Sequence, residues 1–179
     1  MIVIVSGSSG SGKNTVINRL LAEDDTLAFL TTVTTREMRE GERQGIPYLF
    51  VSHEEFRAMI GRGEFLEYCE VHDGNLYGTN RRILEEKLAL GKILIKDIDV
   101  DGTDALKKIL PEIITIYLSV DREVLRQRLI ERGETEIEKR LSRYDYEDAR
   151  KAGYDYVIQN DDLETTVATI REIIKKESK

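Results

Sequence analysis

Cysteine, proline and long apolar runs are scarce in this chain, and each scarcity removes a class of protein. Cys69 is the only cysteine, so an internal disulfide is excluded and a cysteine-based metal cluster lacks its ligands. Its plainest reading is a small buried hydrophobe. Pro47 and Pro111 are the only prolines, and neither a repeat nor a low-complexity tract is visible. The longest apolar stretch near the N-terminus is Ile2-Val3-Ile4-Val5, with no basic leader or small-residue cleavage site. We therefore expect no signal peptide, no membrane span and a cytoplasmic protein. Basic charge is also in deficit: 27 Lys and Arg stand against 34 Asp and Glu, a net charge of −7. No sequence-independent grip on nucleic acid is expected, and any anion site must be a local cluster of arginines. With 179 residues, the chain is long enough for one well-buried α/β core with a small inserted lobe, and too short for two large domains.

What is present begins directly after the apolar run, where the chain reads Gly7-Ser8-Ser9-Gly10-Ser11-Gly12-Lys13-Asn14-Thr15. This fits G-x-x-x-x-G-K, with asparagine where Ser or Thr is standard. A strand, a glycine-rich turn and the helical pattern Val16-Ile17-Leu20-Leu21 together make a phosphate trap. Successive backbone N–H groups point inward at phosphate oxygens, and the helix adds its positive end. Lys13 then reaches the outer phosphates. The hydroxyl that usually follows this lysine ligates the nucleotide's magnesium. An asparagine amide is a bulkier oxygen donor for an ion that tolerates little distortion. Either Asn14 or Thr15 supports the metal, or turnover is impaired; the basic residues retained elsewhere favour activity.

Four further segments, 27–32, 93–99, 113–119 and 154–159, read as short buried strands. Helical patterns run near 13–22, 52–60, 80–90, 101–109, 121–131, 135–151 and 163–176. Such alternation predicts a parallel sheet with right-handed crossovers. Ser52 followed by Glu55 is a capping box, while Gly91 and Gly133 stand where left-handed helix caps are expected. Between 34 and 79 the alternation lapses into short strands, one helix and many charged or glycine residues, which reads as an inserted lobe.

Arg36 and Arg39 stand three apart and are followed by Tyr48. Two guanidinium forks and a hydroxyl suit the faces of one phosphate, whereas the same residues also describe a solvated charged loop. Asp97 and Asp99 alternate at the end of a strand, which places both on one side of the sheet at its carboxyl edge, where ligands bind in such folds. Asp97-x-Asp99-x-Asp101-Gly102 imitates a calcium loop, but position twelve is Lys108 and a strand precedes it, which excludes that reading. Arg126, Arg128, Arg132, Arg140 and Arg143 cluster on two helical patterns joined around Gly133; acidic neighbours also suit a solvated face, to which Arg126 and Arg143 are mostly assigned. His53 and His72 read as surface residues, and Lys96 inside an apolar strand calls for an acidic partner.

Further motifs follow in order: Thr32-x-Thr34-Thr35-Arg36-x-x-Arg39-x-Gly41-Glu42, Glu54-Glu55-Phe56, Gly63-Glu64-Phe65-Leu66-Glu67, Gly74-Asn75-Leu76-Tyr77-Gly78-Thr79, Asp97-Ile98-Asp99-Val100, Lys139-Arg140-Leu141 and Asn160-Asp161-Asp162-Leu163. With the phosphate loop, they make the chain resemble the guanylate kinases, which pass the γ-phosphoryl of ATP to GMP. The resemblance covers nearly the whole length. It implies an α/β P-loop kinase: a five-stranded parallel core sheet with helices on both faces (1–31, 80–126 and 144–179), an inserted GMP-binding lobe (32–79) and a helical lid (127–143).

By the same resemblance, residues 7–15 bind ATP, and Lys13, Arg36, Arg128, Arg132 and Arg140 carry the transfer. Arg36, Arg39, Tyr48 and Tyr77 hold the GMP phosphate, while Thr32, Glu67, Thr79 and Asp99 read the base. Asn14 and Asp97 serve the Mg²⁺. The base-reading set makes chemical sense. Guanine offers N1–H and its 2-amino group as donors, which a carboxylate accepts together, and its O6 needs a hydroxyl donor. On sequence alone Glu67, with Glu64 and Glu70 nearby, reads rather as an ordinary surface glutamate.

Besides Asn14, the chain departs from the family at Met38 and Pro47, at Asp101 where glutamine is usual, by one inserted residue near Asp73, and in a shortened lid around 134–135. Two rival readings are a related sugar-phosphate kinase, which needs no base reader, and a phosphopeptide-binding module, which needs neither Lys13 nor lid arginines. The expected substrates are ATP and GMP, with dGMP also accepted, in purine nucleotide metabolism and without nucleic-acid or membrane partners.

Overall fold

The computed structural model describes residues 1–71, 74–131 and 133–179. Arg132, His72 and the insertion at Asp73 lie outside the described residues. Along the chain run β1 (Ile2–Ser6), α1 (Lys13–Glu23), β2 (Leu27–Phe29), β3 (Thr32–Thr34), β4 (Tyr48–Phe50), α2 (His53–Gly61), β5 (Phe65–Val71), β6 (Asn75–Asn80) and α3 (Arg81–Ala89). These are followed by β7 (Ile93–Asp97), α4 (Val100–Ile109), β8 (Ile114–Ser119), α5 (Arg122–Glu131), α6 (Ile137–Asp148), β9 (Tyr156–Gln159) and α7 (Leu163–Glu177). One sheet has five strands in the order β2-β7-β1-β8-β9, and the other has four in the order β4-β3-β6-β5. By contact the chain divides into two compact units, Met1–Asp25 with Ile95–Lys179, and Thr26–Leu94.

In the first unit the unbroken apolar run of β1 is explained by its place in the middle of the sheet order, where both faces are covered. It pairs in parallel with β8, which pairs in parallel with β9, as the βα alternation predicts. α1 buries Val16, Ile17 and Leu20 and lies beside α7. Leu125 and Leu129, four apart on α5, pack with Val120 and with Leu141 of α6.

The second unit is a four-stranded sheet on a helix. Val33 packs with Phe56 and Met59 of α2, and Leu49, Phe65, Leu76 and Ile83 close over them. The other face carries a polar row, because Thr32 pairs with Tyr48 and Glu67 pairs with Thr79. Simple alternation would put Phe65 and Glu67 on one face. A β-bulge between them breaks the alternation: Phe65 stands opposite Asn80 and Glu67 opposite Thr79. Phe65 thus stacks on Phe56 at 4.5 Å, while Glu67 joins the polar row. Gly78 lies beneath that phenyl ring; a Cβ there would come within 2.8 Å of Phe65 Cδ1, so a side chain at this position would have to displace the ring.

Several expectations are corrected here. The strand foreseen at 27–32 is two strands in two different sheets, since a short apolar run does not reveal which neighbours it pairs with. The strand foreseen at 93–99 stops at Asp97, because Asp99 turns out as the N-cap of α4, its side chain accepting the Gly102 N–H at 2.8 Å. The helix foreseen at 135–151 is shorter, Ile137–Asp148. Cys69 is exposed, not buried, since it stands on the edge strand β5 opposite Tyr77. The capping box at Ser52 is half formed: Ser52 accepts the Glu55 N–H, but the Glu55 carboxylate goes to Arg62. His53 is exposed as expected, Lys96 is buried in β7, and Gly91 and Gly133 both take positive φ, 72° and 71°.

Candidate active site

The first unit gathers a phosphate loop and several arginines. Residues 7–12 turn tightly between β1 and α1, and Gly7 and Gly12 hold φ of 141° and 95°. A Cβ on Gly7 would lie 2.5 Å from the Leu118 carbonyl oxygen, and one on Gly12 would lie 2.6 Å from Asn160 Nδ2, so only glycine fits either place. α2, α3, α4 and α7 are each capped by a side chain, whereas α1 begins at Gly12 with no side-chain cap. Its start therefore presents backbone N–H groups to an anion. Lys13 is half-buried and donates to the carbonyls of Gly7 at 2.5 Å and Ser8 at 3.0 Å, folded over the loop it serves.

Asn160, which the sequence offered only as part of a motif and with no role, is a supporting residue. It is buried, donates from Nδ2 to Ser11 O at 2.6 Å and accepts from Thr166 at 2.8 Å, bracing the loop from β9 and α7. Arg128 donates to the Asn160 carbonyl at 3.0 Å. With Gly10, Gly12, Thr15, Asn160 and Leu163 it lines a cleft of about 240 Å³. Arg140 of α6 donates to Ser9 Oγ at 2.8 Å and pairs with Glu134 at 3.0 Å, which brings its charge to the tip of the loop. Arg126 pairs with Glu138 instead, linking α5 to α6. Arg132 lies outside the described residues.

Asn14 and Thr15 are exposed on the first turn of α1, and Asp97 is half-buried at the carboxyl end of β7. Amide, hydroxyl and carboxylate are all hard oxygen donors, a set that fits Mg²⁺. Asp99 and Asp101 face Arg143 of α6 at 3.4 and 3.5 Å.

The second unit holds the other predicted residues. Arg36 follows β3 and lies 5.3 Å from the ring centroids of both Tyr48 and Phe50. Its guanidinium pairs with Glu42 at 2.7 Å, and this carboxylate, with Tyr77 a lesser influence, raises Arg36 above its ordinary value. Glu42, held below the usual carboxylate range chiefly by Arg36, also accepts the Arg39 backbone N–H at 2.7 Å. Arg39 itself is exposed, and the rings of Tyr48 and Tyr77 meet edge-on at 6.0 Å. Glu42 thus holds the Arg36 guanidinium and the backbone at Arg39, a role its bare place in the motif did not reveal.

On the polar row, Glu67 is half-buried and its Oε1 accepts both the Thr79 N–H at 3.1 Å and the Thr79 hydroxyl at 2.6 Å. This commits the Thr79 proton to Glu67. Thr32 Oγ1, by contrast, is buried without a hydrogen-bond partner. A buried, unpaired hydroxyl costs on the order of 1–3 kcal/mol, so the Thr32 hydroxyl differs from that of Thr79 in being uncommitted.

The guanylate kinase family model matches residues 1–177. Among curated proteins, the guanylate kinase of Clostridioides difficile (strain 630) is 40% identical over 182 residues, spanning 99% of this chain and 88% of that protein. That of Nitrosomonas europaea is 39% identical over 180 residues, spanning 98% and 89%. Among solved structures, guanylate kinase from Anaplasma phagocytophilum has a TM-score of 0.77 at 34% identity, covering 99% of this chain and 85% of its own. Shikimate kinase from Bacteroides thetaiotaomicron, with a TM-score of 0.54 at 16% identity and 98% coverage of both chains, shares the fold.

Proposed function

The chain belongs to the guanylate kinase family and is an ATP:GMP phosphotransferase; from that premise we propose how its residues divide the transfer. The loop from Gly7 to Thr15 cradles the donor phosphates with backbone N–H groups, and Lys13 leaves the Gly7 and Ser8 carbonyls to meet the outer phosphates. Arg140, already bonded to Ser9, places a fixed positive charge where the γ-phosphoryl must lie. Arg128 serves the donor nucleotide from the wall of its cleft, and Arg132 belongs with these cations by its motif. Asn14 and Asp97, with Thr15 as the neighbouring hydroxyl, would hold Mg²⁺, which when bound would neutralise negative charge on the donor phosphates.

On the acceptor side, Arg36, Arg39, Tyr48 and Tyr77 hold the GMP phosphate, with Glu42 keeping the Arg36 fork in place until the ligand arrives. Glu67 accepts the guanine N–H donors through Oε2, since Oε1 is already satisfied by Thr79. Thr32 donates to O6, and Asp99 adds a second acceptor for the base. Transfer is direct and in line, without a covalent enzyme intermediate, and dGMP is accepted as well as GMP. Residues 32–79 act as the acceptor lobe and 127–143 as the lid, both closing to keep water from the phosphoryl group. We further propose that it acts in purine nucleotide metabolism, in the cytoplasm. Among the described residues no helix is long and apolar enough to cross a membrane.

The observation that carries this reading is the Glu67–Thr79 pair beside an unpartnered Thr32 hydroxyl, because a sugar-phosphate acceptor requires no such base reader. The test is ADP release from ATP and Mg²⁺ with GMP, AMP, CMP and UMP offered in turn. Turnover confined to GMP is expected. No turnover with any acceptor, but stabilisation by phosphopeptide, would replace the proposal with a binding module. Separately, Asn14→Ser is expected to lower the Mg²⁺ concentration needed for half-maximal rate, because a compact hydroxyl replaces a bulkier amide. An unchanged Mg²⁺ titration would remove Asn14 from the metal's surroundings.

A further inference from the structure

Asp99 is a carboxylate with one oxygen spoken for. Its Oδ1 accepts the Gly102 N–H at 2.8 Å as the N-cap of α4, which leaves Oδ2 as the atom able to serve a ligand. That oxygen is met by a cation: Arg143 on α6 places NH2 3.4 Å from it, and 3.5 Å from Asp101 Oδ2. The Arg143 Nε meanwhile donates to the buried Glu147 at 2.8 Å, so the side chain is anchored at one end and shared at the other. Asp101 is itself drawn toward the end of α6 by Tyr146 at 2.6 Å and Arg150 at 2.5 Å. Arg140, three residues earlier on the same helix, reaches Ser9 of the phosphate loop. One helix thus sends one cation to the donor loop and another to Asp99.

We propose that Arg143 guards Asp99: it occupies the Oδ2 oxygen while the acceptor is absent, and the guanine N–H donors must take that oxygen over. Arg143 is then a positioning residue that sets acceptor affinity. This rests on the assignment of Asp99 to the base made above. The contact is suited to being replaced. It is long, it is divided between two half-exposed carboxylates, and Glu147 and Asp101 still hold the guanidinium once Asp99 is taken. Asp101 moderates the guard, since it competes with Asp99 for the same guanidinium.

The sign distinguishes this from general electrostatics. GMP is an anion, so simple loss of a nearby positive charge would weaken its binding. Loss of a guard strengthens it. Isothermal titration of GMP, without donor nucleotide, into wild type, Arg143→Ala, Asp99→Asn and the double variant reads the difference. Arg143→Ala is expected to lower the Kd for GMP about two- to five-fold, the scale of a half-exposed ion pair. Asp99→Asn raises the Kd, and in that background Arg143→Ala no longer tightens binding. Arg143→Gln, which preserves length and a polar end, gives the same sign if the alanine variant folds poorly. If Asp99→Asn weakens GMP while both Arg143 variants leave it unchanged or weaker, the guard is overturned and Asp99 keeps its place at the base. If Asp99→Asn leaves GMP binding untouched, the assignment of Asp99 fails and the guard with it.

Discussion

Lys13→Met is expected to lower kcat/KM for ATP by about 10³-fold while leaving the fold intact. One unit charge acting on another at 4 Å in a site of effective dielectric near 20 is worth about 4 kcal/mol. At 1.36 kcal/mol per decade, that corresponds to about a thousand-fold in rate. Lys13 stands at the first position of α1, half-buried, where the ammonium has only to swing off the carbonyls of Gly7 and Ser8 to meet a phosphate. The loop hydrogen bonds to Gly7 and Ser8 that the folded protein loses without it are each worth about 1 kcal/mol net, so thermal unfolding of the ligand-free variant should shift by several degrees at most. Lys13→Arg is not expected to restore the rate, because a branched planar fork does not occupy the space of a compact ammonium inside this turn. Steady-state kinetics with a matched thermal melt decides the matter. A variant that keeps kcat/KM within ten-fold of wild type would place the main phosphate charge elsewhere, with Arg140 the first alternative.

Glu67→Gln is expected to cost the GMP reaction about 10²-fold in kcat/KM, the equivalent of about 2.7 kcal/mol. The bulge after Phe65 aims this carboxylate onto the polar row, and Thr79 holds Oε1 with two hydrogen bonds. A glutamine keeps the Thr79 bonds through its amide oxygen, which forces its NH₂ toward guanine. Donor then faces donor, and the base loses its acceptor at a half-buried site. The KM for ATP should be unaffected, since the donor loop does not share this residue. The ratio of GMP to AMP turnover is the deciding readout; if it is unchanged in the glutamine variant, Glu67 does not read the base.

Much of this arrangement is legible in the sequence. The phosphate loop follows from local steric facts, since only glycine turns the backbone at positions 7 and 12, and those letters are visible in the sequence. The core of β1 is an unbroken apolar run, and the parallel pairing of β1, β8 and β9 follows from the helices between them. The arginines of the acceptor stretch were legible as candidates, though a solvated loop explained them equally well. Glu42 holds the Arg36 guanidinium and the Arg39 backbone N–H, a link that the sequence does not display. Cys69 is exposed where its residue type suggests burial, because residue type predicts burial only on average and Cys69 stands on an edge strand.

What the sequence by itself determined was everything that depends on near neighbours: the glycine turn, the lysine at the start of its helix, the strand and helix periods, and the family to which the motifs belong. What only the tertiary structure decided is which oxygen of each polar group remains available. Plain alternation would have set Glu67 on the same face as Phe65, and the bulge in β5 sets it apart. Thr32 and Thr79 are the same letter, yet one hydroxyl is spent on Glu67 and the other is buried without a partner. Asp99 is half committed to Gly102, and its remaining oxygen is met by an arginine 44 residues away along the chain. Hydrogen bonds saturate one atom at a time and join residues distant in sequence, so their allocation exists only once the chain has folded.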